Sequence, residues 1–545
     1  MLIPGIAVLI GFSAYIYKII DVYVYSALFI IVLLGILDME LYSYWGFKLD
    51  ITPILYLRTP GEALASIEVM EIIFLLFFVL IIFLLFLYIY RRFIKIPFQL
   101  IQKHNWQTML VSLIFTSFLI LPARGGIGLA ALNVGAVYFH SVSFANHSAI
   151  NVLWNTLYSV SERKKLISSF EFMSSEDAEN LIAELHKKGK NSEIIVKEKA
   201  NIILIILESF SNKIIEPLGG EPGITPVFNR LCSEGLIFRN FYSSGDRSDK
   251  GLVSIFSGFP SQPLTSIINY PSKTQTLPFL TDPFSENDYS TSFYYGGNLD
   301  FANFRSYFTR ASLHQVIDIN HFPRTLRNQK WGVSDNFVYE KILKDLDNKL
   351  QPFFISFFTL SSHEPFDVPA DSKFGSGRDE LSRNAFFFAD SCLGVFINEA
   401  RQKPWWENTL VILLPDHGSR SPGNTLNYSR QKFSIPMLWI GGALLSGQGE
   451  NTVYGSQVDF PAIILNQFGY SYENFKYSKD ILSRTTKGYA YYTFNNGFGF
   501  MKDSCEVIYD NINGSYIHKS GDAYEKGNSY GKALLQLTTK DFLKR

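Results

Sequence analysis

Val411 to His417 reads Val-Ile-Leu-Leu-Pro-Asp-His, an apolar run that ends on a carboxylate and an imidazole. An unbroken apolar run of this length is a strand covered on both faces, the habit of parallel sheets flanked by helices. Two other stretches share the design. Asn201 to Leu207 (Asn-Ile-Ile-Leu-Ile-Ile-Leu) delivers Glu208, and Phe353 to Leu360 delivers Ser361-Ser362-His363. In such sheets ligands bind beyond the carboxyl ends of the strands. Three buried strands, each ending in a residue able to hold a metal or a phosphate, commit this part of the chain to an α/β layer with its chemistry at one end.

Strand and helix signals alternate around these three runs. Thr225-Pro226 has the form of an N-cap with proline at the first helical position, opening a helix to about Ser233. Leu236 to Tyr242 reads as a strand, and Gly251 to Ser257 starts another helix. Thr291 to Tyr295 is a strand running into Gly296-Gly297, and Pro436 to Ile440 is a strand before a second Gly-Gly. Asp335 to Leu350, Arg383 to Gln402 and Val458 to Phe468 have helical spacing. The alternation predicts a mostly parallel central sheet with helices on both faces. From about Gly488 the chain is rich in Tyr, Phe and Gly and predicts a small antiparallel sheet, closed by an amphipathic helix over Ser529 to Arg545.

A chain of 545 residues is too long for one core. Its apolar residues crowd into the first quarter, which points to membrane. Leu2 to Tyr17, Val22 to Leu41, Ile72 to Tyr90 and Met109 to Leu121 read as four spans, the third the densest and the last the weakest. Arg91, Arg92, Lys95 and Lys103 fall between the third and fourth spans with no acid among them, so that loop is expected in the cytoplasm. Everything after the fourth span is then outside. Met1 falls outside too, which leaves room for a further helix upstream of it. The start lacks the basic flank and small-residue cleavage site of a signal peptide. The expected organisation is a transmembrane helical bundle over 1–123, juxtamembrane and linker helices over 124–200, an α/β domain over 201–487 and a small α+β subdomain over 488–545.

Lys plus Arg and Asp plus Glu both number 49, so nothing in the charge points to nucleic acid. Cys232, Cys392 and Cys505 are far apart, with no Cys-x-x-Cys pair for zinc or redox work.

Glu208, Asp416 and His417 supply two carboxylates and an imidazole, a mixed set that suits one divalent cation such as manganese, magnesium or zinc. Taken singly, a carboxylate after a strand is often only a helix cap. An Asp-His pair after a strand is more telling. Three protein ligands leave positions free for a nucleophile and a substrate oxygen. The loop Ser243-Ser244-Gly-Asp-Arg-Ser248-Asp-Lys-Gly follows a strand and precedes a helix, where free N–H groups favour an alkoxide and a phosphate. On chemistry alone Ser243, Ser244 and Ser248 are all candidate nucleophiles, and all three also fit plain turn and cap roles.

Glu208 after its strand, Gly-Asp-Arg-Ser-Asp-Lys-Gly, Ser-Ser-His-Glu-Pro-Phe and Pro-Asp-His-Gly, taken together and in order, resemble the alkaline-phosphatase/sulfatase superfamily. The nearest branch in motif is the lipoteichoic acid synthase family of membrane phosphoglycerol transferases. The stretch from Asp38-Met-Glu-Leu-Tyr to Asp50 and Pro122-Ala-Arg-Gly-Gly-Ile-Gly-Leu resemble that branch's membrane part. The resemblance implies an alkaline-phosphatase-like α/β domain behind the membrane helices. It implies one manganese-like ion on Glu208, Asp416, His417 and Ser248, with Ser248 as the attacking hydroxyl. The family usually has threonine there. His363 matches the substrate histidine, a contact for the head group or the acid for the leaving oxygen. Tyr307-Phe-Thr-Arg310 resembles the substrate loop, with Arg310 on the phosphate, although Phe308 stands where gram-positive members have tryptophan. Asn298 falls near another substrate position.

The implied function is a metal-dependent transferase in the bacterial inner membrane, multi-pass, with its catalytic domain on the extracytoplasmic side. It would move a phosphoglycerol-type group from a lipid such as phosphatidylglycerol to a glycan, glycolipid or alcohol acceptor, through a covalent phospho-serine. The rivals are a sulfatase or phosphodiester hydrolase, a phosphoethanolamine transferase, and a non-catalytic sensor. Ser248 is followed by Asp-Lys-Gly-Leu, without the Pro and Arg that sulfatase maturation needs, and three scattered cysteines do not match the disulfides usual in phosphoethanolamine transferases. His314, His321 and Asp459 read as structural residues, the last as a helix cap. Asp38 and Glu40 would be costly inside a span and are expected at its interfacial end.

Overall fold

A computed structural model describes residues 14–45, 48–49, 69–95, most of 106–162, and 170–545 apart from 187–194, 370–371, 446–448, 496, 504 and 512–513. The chain divides into two compact units, Met1–Ile167 and Ser168–Arg545.

In the first unit, helices α1 (Ala14–Trp45) and α2 (Val69–Ile89) pack against each other. Asp21 near the start of α1 pairs with Lys95, just past the end of α2, at 2.5 Å, so the two run antiparallel. Among the described residues two helices are long and apolar enough to cross a bilayer, Lys18–Tyr42 and Ile72–Ile94. Of the four expected spans, Val22–Leu41 and Ile72–Tyr90 fall within these two helices. Helix α1 runs unbroken through Lys18 and Asp21, so the division between the first two segments is absent. What remains of the first segment, 2–13, lies outside the described residues. Helix α3 (Trp106–Phe118) has 13 residues. At ~1.5 Å per residue it is about 20 Å long against a ~30 Å hydrocarbon core, so a span here draws on flanking residues, of which 101–105 lie outside the described residues. Asp38 is buried, paired with Lys48 at 2.7 Å and accepting the Leu49 N–H at 2.7 Å.

The second unit is built on strands β1 (Asn201–Leu207), β2 (Leu236–Phe238), β3 (Phe241–Tyr242), β4 (Ser290–Tyr295), β5 (Gln315–Ile317), β6 (Phe353–Phe358), β7 (Thr409–Pro415), β8 (Met437–Ile440), β9 (Gly449–Asn451) and β10 (Gly455–Ser456). Eight of them form one sheet in the order β5-β4-β6-β1-β7-β8-β2-β9, while β3 pairs with β10. Strands β4, β5, β6, β1 and β7 are mutually parallel and β8 is antiparallel to β7. Every residue of β1, β6 and β7 is buried, as an apolar run without alternation requires. The last strands, β11 (Ala490–Phe494), β12 (Gly497–Lys502), β13 (Cys505–Asp510) and β14 (Ser515–Ser520), make an antiparallel meander.

The longer helices of this unit are α4 (Ser175–Leu185), α5 (Pro226–Cys232), α6 (Ser248–Ser257), α7 (Phe304–Arg310), α8 (Asp335–Leu346), α9 (Arg378–Ala400), α10 (Phe460–Gln467) and α11 (Tyr524–Lys544). Helix α4 packs along α11, which also covers β12 and β13. Two departures from the expected elements have clear causes. Leu236 to Tyr242 divides into β2 and β3 because Phe238 pairs with Met437 in one sheet and Phe241 with Gly455 in the other. Helix α6 starts three residues before Gly251, at Ser248 itself.

Candidate active site

The register of the central strands decides which side chains meet. Ile206 lies beside Phe358 on one side and Leu414 on the other, so β1, β6 and β7 end level. Glu208, the Thr359–His363 loop and Asp416-His417 therefore emerge together. Thr359 Oγ1 accepts the Glu208 N–H at 2.9 Å, and the Ser362 hydroxyl donates to the Glu208 carbonyl at 2.6 Å.

Glu208, Asp416 and His417 offer ligand atoms all within 4.8 Å of one another. His417 Nε2 is 3.4 Å from Asp416 Oδ2 and 3.7 Å from Glu208 Oε1. Ser248 Oγ completes the group, 3.4 Å from Glu208 Oε2 and 3.5 Å from His417 Nε2. Ser248 is the first residue of α6, so its hydroxyl sits at the positive end of a helix. The approach depends on Gly251, where a Cβ would lie 1.9 Å from the Asp416 carbonyl. The other two serines are spoken for. The Ser243 hydroxyl donates to the Phe433 carbonyl at 3.4 Å, and Ser244 Oγ accepts the Ser261 N–H at 2.9 Å, both side chains fully buried.

The donors around the cluster leave one vacancy in the hydrogen bonding. Asp416 Oδ1 accepts two N–H groups, from Ser209 and from His417, each at 2.8 Å. Asp416 Oδ2 is buried and has no hydrogen-bond partner. A buried carboxylate oxygen left so is costly unless a cation takes it. His417 Nδ1 lies 3.1 Å from the Gly418 carbonyl, an acceptor, so Nδ1 carries the proton and Nε2 keeps its lone pair toward the carboxylates. Burial, and then the charge of Asp416, raise the Glu208 carboxyl well above its ordinary range, while burial lowers the His417 imidazole. A divalent cation suits these groups: it would hold both acids ionised against a neutral imidazole.

Several supporting residues carried no sequence signal. Ser209 takes a left-handed φ of 63°, rare for a side chain other than glycine, and its hydroxyl donates to Glu208 Oε1 at 2.6 Å. Gln457 joins two loops, its Nε2 donating to the Asp416 carbonyl at 2.6 Å and its Oε1 accepting the Ser244 N–H at 2.9 Å. Lys432, buried, donates to the Gly418 carbonyl. Asp335 accepts the N–H groups of Leu360 and Ser361 at 2.7 and 3.1 Å, fixing the loop that carries His363. A lone Ser, Gln or Asp in a loop has no spacing by which to find it; Ser209 alone, directly after a strand-ending Glu, could have been suspected.

His363 sits one residue beyond Ser362, its Nδ1 donating to the Glu364 carbonyl at 2.6 Å. Asn298 turns inward on its own loop, its Oδ1 accepting the Asp300 N–H at 2.9 Å. Arg310 is not brought to the cluster. It ends α7 with Nη1 3.4 Å from Asp282 and Nε 3.4 Å from the Gln275 carbonyl. Two residues on, the Ser312 carbonyl accepts from Thr291 Oγ1, near the start of β4, whereas the cluster lies where its parallel neighbours finish. Thr291 and Tyr295 alone are separated by roughly 13 Å along the strand. Phe308 is 1% exposed and stacks on Phe293 with ring centres 3.8 Å apart, so it fills core. His314 bonds to Thr291, His321 closes a capping box with Asp318, and Asp459 caps Ser456 and pairs with Lys479 at 2.6 Å.

Residues 200–470 match the sulfatase family model. Residues 200–470 are thus a sulfatase-family domain with an alkaline-phosphatase-like α/β fold, apolar helices before it and an antiparallel sheet after it. Among curated proteins it is similar to the lipoteichoic acid synthase-like YvgJ of Bacillus subtilis, 24% identical over 43% of this chain and 39% of that one. It is also similar to the lipoteichoic acid synthase of Staphylococcus saprophyticus, 24% identical over 63% of this chain and 56% of that one. The chain thus spans about half the length of the curated relatives it matches. In fold it resembles an alkaline-phosphatase-superfamily protein from Vibrio parahaemolyticus (TM-score 0.60, 22% identical, 69% of this chain and 98% of that one). It likewise resembles LtaP, a lipoteichoic acid synthase from Listeria monocytogenes (TM-score 0.56, 18% identical, 67% and 98%).

Proposed function

We propose that the protein is a membrane-anchored, metal-dependent phosphoglycerol transferase that works through a covalent phospho-serine on Ser248. The observation that carries this reading is the position of Ser248 Oγ, within reach of both Glu208 and His417 at a helix amino terminus. Glu208, Asp416, His417 and Ser248 are the residues that would hold the cation, manganese in the first instance. Bound there, such a cation would favour the alkoxide of Ser248 and offset charge on a phosphoryl oxygen.

Ser248 Oγ attacks phosphorus of the lipid head group, forming the O–P bond as the bond to the diacylglycerol oxygen breaks. His363 presents Nε2, since Nδ1 is committed to the Glu364 carbonyl, and in its imidazolium form donates a proton to the departing oxygen. Neutral His363 then takes the proton of an acceptor alcohol at Nε2 as that alcohol's oxygen forms the new O–P bond, and the bond from phosphorus to Ser248 Oγ breaks to return the serine. The two apolar helices would keep the domain beside its lipid. A phosphoethanolamine transferase fits less well, because Cys232, Cys392 and Cys505 are all free.

The test uses the full chain in detergent with manganese and phosphatidylglycerol labelled in the head group. Release of diacylglycerol with label trapped on Ser248 is expected, and Ser248→Ala should lose turnover by at least about a thousandfold. Hydrolysis of a sulfate ester without label on the protein would replace this reading with a sulfatase.

A further inference from the structure

The Asp416 carbonyl, as distinct from its carboxylate, is where three elements converge. On one side Gly251 of α6, one turn beyond Ser248, comes so close that a Cβ would stand 1.9 Å from the oxygen. On the other side the oxygen accepts Gln457 Nε2–H at 2.6 Å, and the same nitrogen donates to the Pro415 carbonyl at 2.7 Å. Gln457 Oε1 accepts the Ser244 N–H at 2.9 Å. One fully buried amide thus joins the end of β7, which delivers Asp416 and His417, to the loop that leads into Ser248.

The strand pairing sets this up. Strand β10 runs parallel to β3 with Ser456 beside Tyr242, so Gln457 follows one strand as Ser243-Ser244 follow the other. Gln457 opens a short 3-10 turn whose capping box joins Ser456 to Asp459, and Asp459 is paired with Lys479 at 2.6 Å. The C-terminal sheet holds the loop from behind. The Thr493 N–H of β11 donates to the Ser244 carbonyl at 2.9 Å. The Ser261 hydroxyl donates to the same carbonyl, and the Ser261 N–H donates to Ser244 Oγ at 2.9 Å. Thr493 Oγ1 lies 2.6 Å from Ser261 Oγ.

A primary amide supplies two donors and an acceptor from one plane without charge. A carboxylate in its place would turn an oxygen on two carbonyls. A thioether of similar length would leave the Ser244 N–H and both carbonyls without this partner. Gln457 bonds to backbone groups and to no ligand atom of the cluster, so what it controls is where the two loops stand.

We propose that Gln457 is a positioning residue that sets the spacing between Ser248 and the Asp416-His417 pair, with Ser261 and Thr493 holding the Ser248 loop against it. The proposal rests on the transferase reading. In-line attack at phosphorus tolerates little error in that spacing, and a displacement of about 1 Å costs about a hundredfold in rate.

The test measures kcat and KM of the full chain in detergent with manganese and head-group-labelled phosphatidylglycerol. Gln457→Met should lower kcat about a hundredfold while KM stays within about threefold. Asn201→Leu is the control. It removes another fully buried amide, at the amino ends of the same strands, where Asn201 bonds to Gln351, Thr409 and the Phe353 N–H. It should lower the urea midpoint by a similar amount and leave kcat within about threefold. Manganese binding, followed by electron paramagnetic resonance, reports that the cluster persists in each variant. A manganese-binding Gln457→Met chain with wild-type kcat overturns the proposal. So does a loss carried by KM alone, or one that Asn201→Leu equals. Should Gln457→Met bind no manganese, Ser261→Ala decides, since it keeps the N–H to Ser244 and loses only the hydroxyl. There kcat should fall about tenfold at unchanged KM, and an unchanged kcat overturns the proposal. A wild type inert toward the lipid sinks the transferase reading, and the proposal goes with it.

Discussion

The two ends of strand β4 treat polar side chains in opposite ways. At its carboxyl end, Gly296-Gly297 leads into the loops of Asn298, Trp331 and His363, and the neighbouring strands deliver Glu208 and Asp416. At its amino end, Thr291 bonds to His314 and to the Ser312 carbonyl, and Arg310 is tied to Asp282. One end gathers charge that stays uncompensated inside the protein, Asp416 Oδ2 above all; the other pairs its charges among themselves. The difference follows from topology. In a parallel sheet every strand ends on the same side, so their terminal residues converge, and a returning helix such as α6 brings its positive end to them. A reactive residue at the amino end would have no such convergence to draw on.

The largest effect that can break this contrast is at the carboxyl end. Asp416→Asn keeps size and one acceptor but removes the charge, and manganese affinity should fall at least about a hundredfold in a titration of the purified chain. The same titration should weaken as pH falls. Burial and Asp416 raise the Glu208 carboxyl, so it takes up its proton earlier on acidification than an ordinary carboxyl and releases it to admit the ion. Affinity that is flat from pH 5 to 8 would argue that the cluster is a hydrogen-bonded core and not a cation site.

A smaller effect tests the scaffold behind His363. Burial pushes the Asp335 carboxyl up to about 6, outweighing the two N–H groups that favour its ionised form. A carboxyl raised in the folded state contributes most to stability below its ordinary value, and that contribution fades as pH rises through about 6. Asp335→Asn should cost roughly 1–3 kcal/mol by leaving one buried N–H unpaired. It should also flatten the pH dependence of the urea midpoint between about pH 4 and 6, and speed amide exchange at Leu360 and Ser361. Exchange unchanged at those two amides would mean the loop is held by other bonds.

What was legible in the chain follows the same divide. The three apolar runs, their burial and the residues at their ends could be read because a fully buried parallel strand leaves an unbroken apolar signature and ends at a fixed side of the sheet. Ser248 needed the family motif, since Ser243 and Ser244 offer the same hydroxyl; only the start of α6 separates them. Asp335 and Gln457 were illegible because their roles depend on contacts between residues far apart in the chain. The break read between the first two apolar segments failed for a physical reason: Lys18 and Asp21 look like interruptions, yet Asp21 is paired to Lys95 from the facing helix. Arg310 was placed by likeness of a short string, which carries no information about which end of a strand it follows.

That last placement gives the smallest expected effect and the sharpest contrast. If the amino end of β4 is structural, Arg310→Ala should leave turnover of a lipid phosphodiester within about twofold, because its guanidinium is 3.4 Å from Asp282 and no described contact joins it to the cluster. Stability should fall by less than about 1 kcal/mol, as the Arg310 and Asp282 side chains are 34% and 21% exposed and solvent screens the pair. A phosphate-binding arginine behaves otherwise: its loss should cost about a hundredfold or more in kcat/KM with little change in the unfolding midpoint. Measuring both quantities on one variant separates the two cases. A large kinetic loss would require α7 to move toward the cluster when substrate binds, and the strand's two ends would then no longer divide the work.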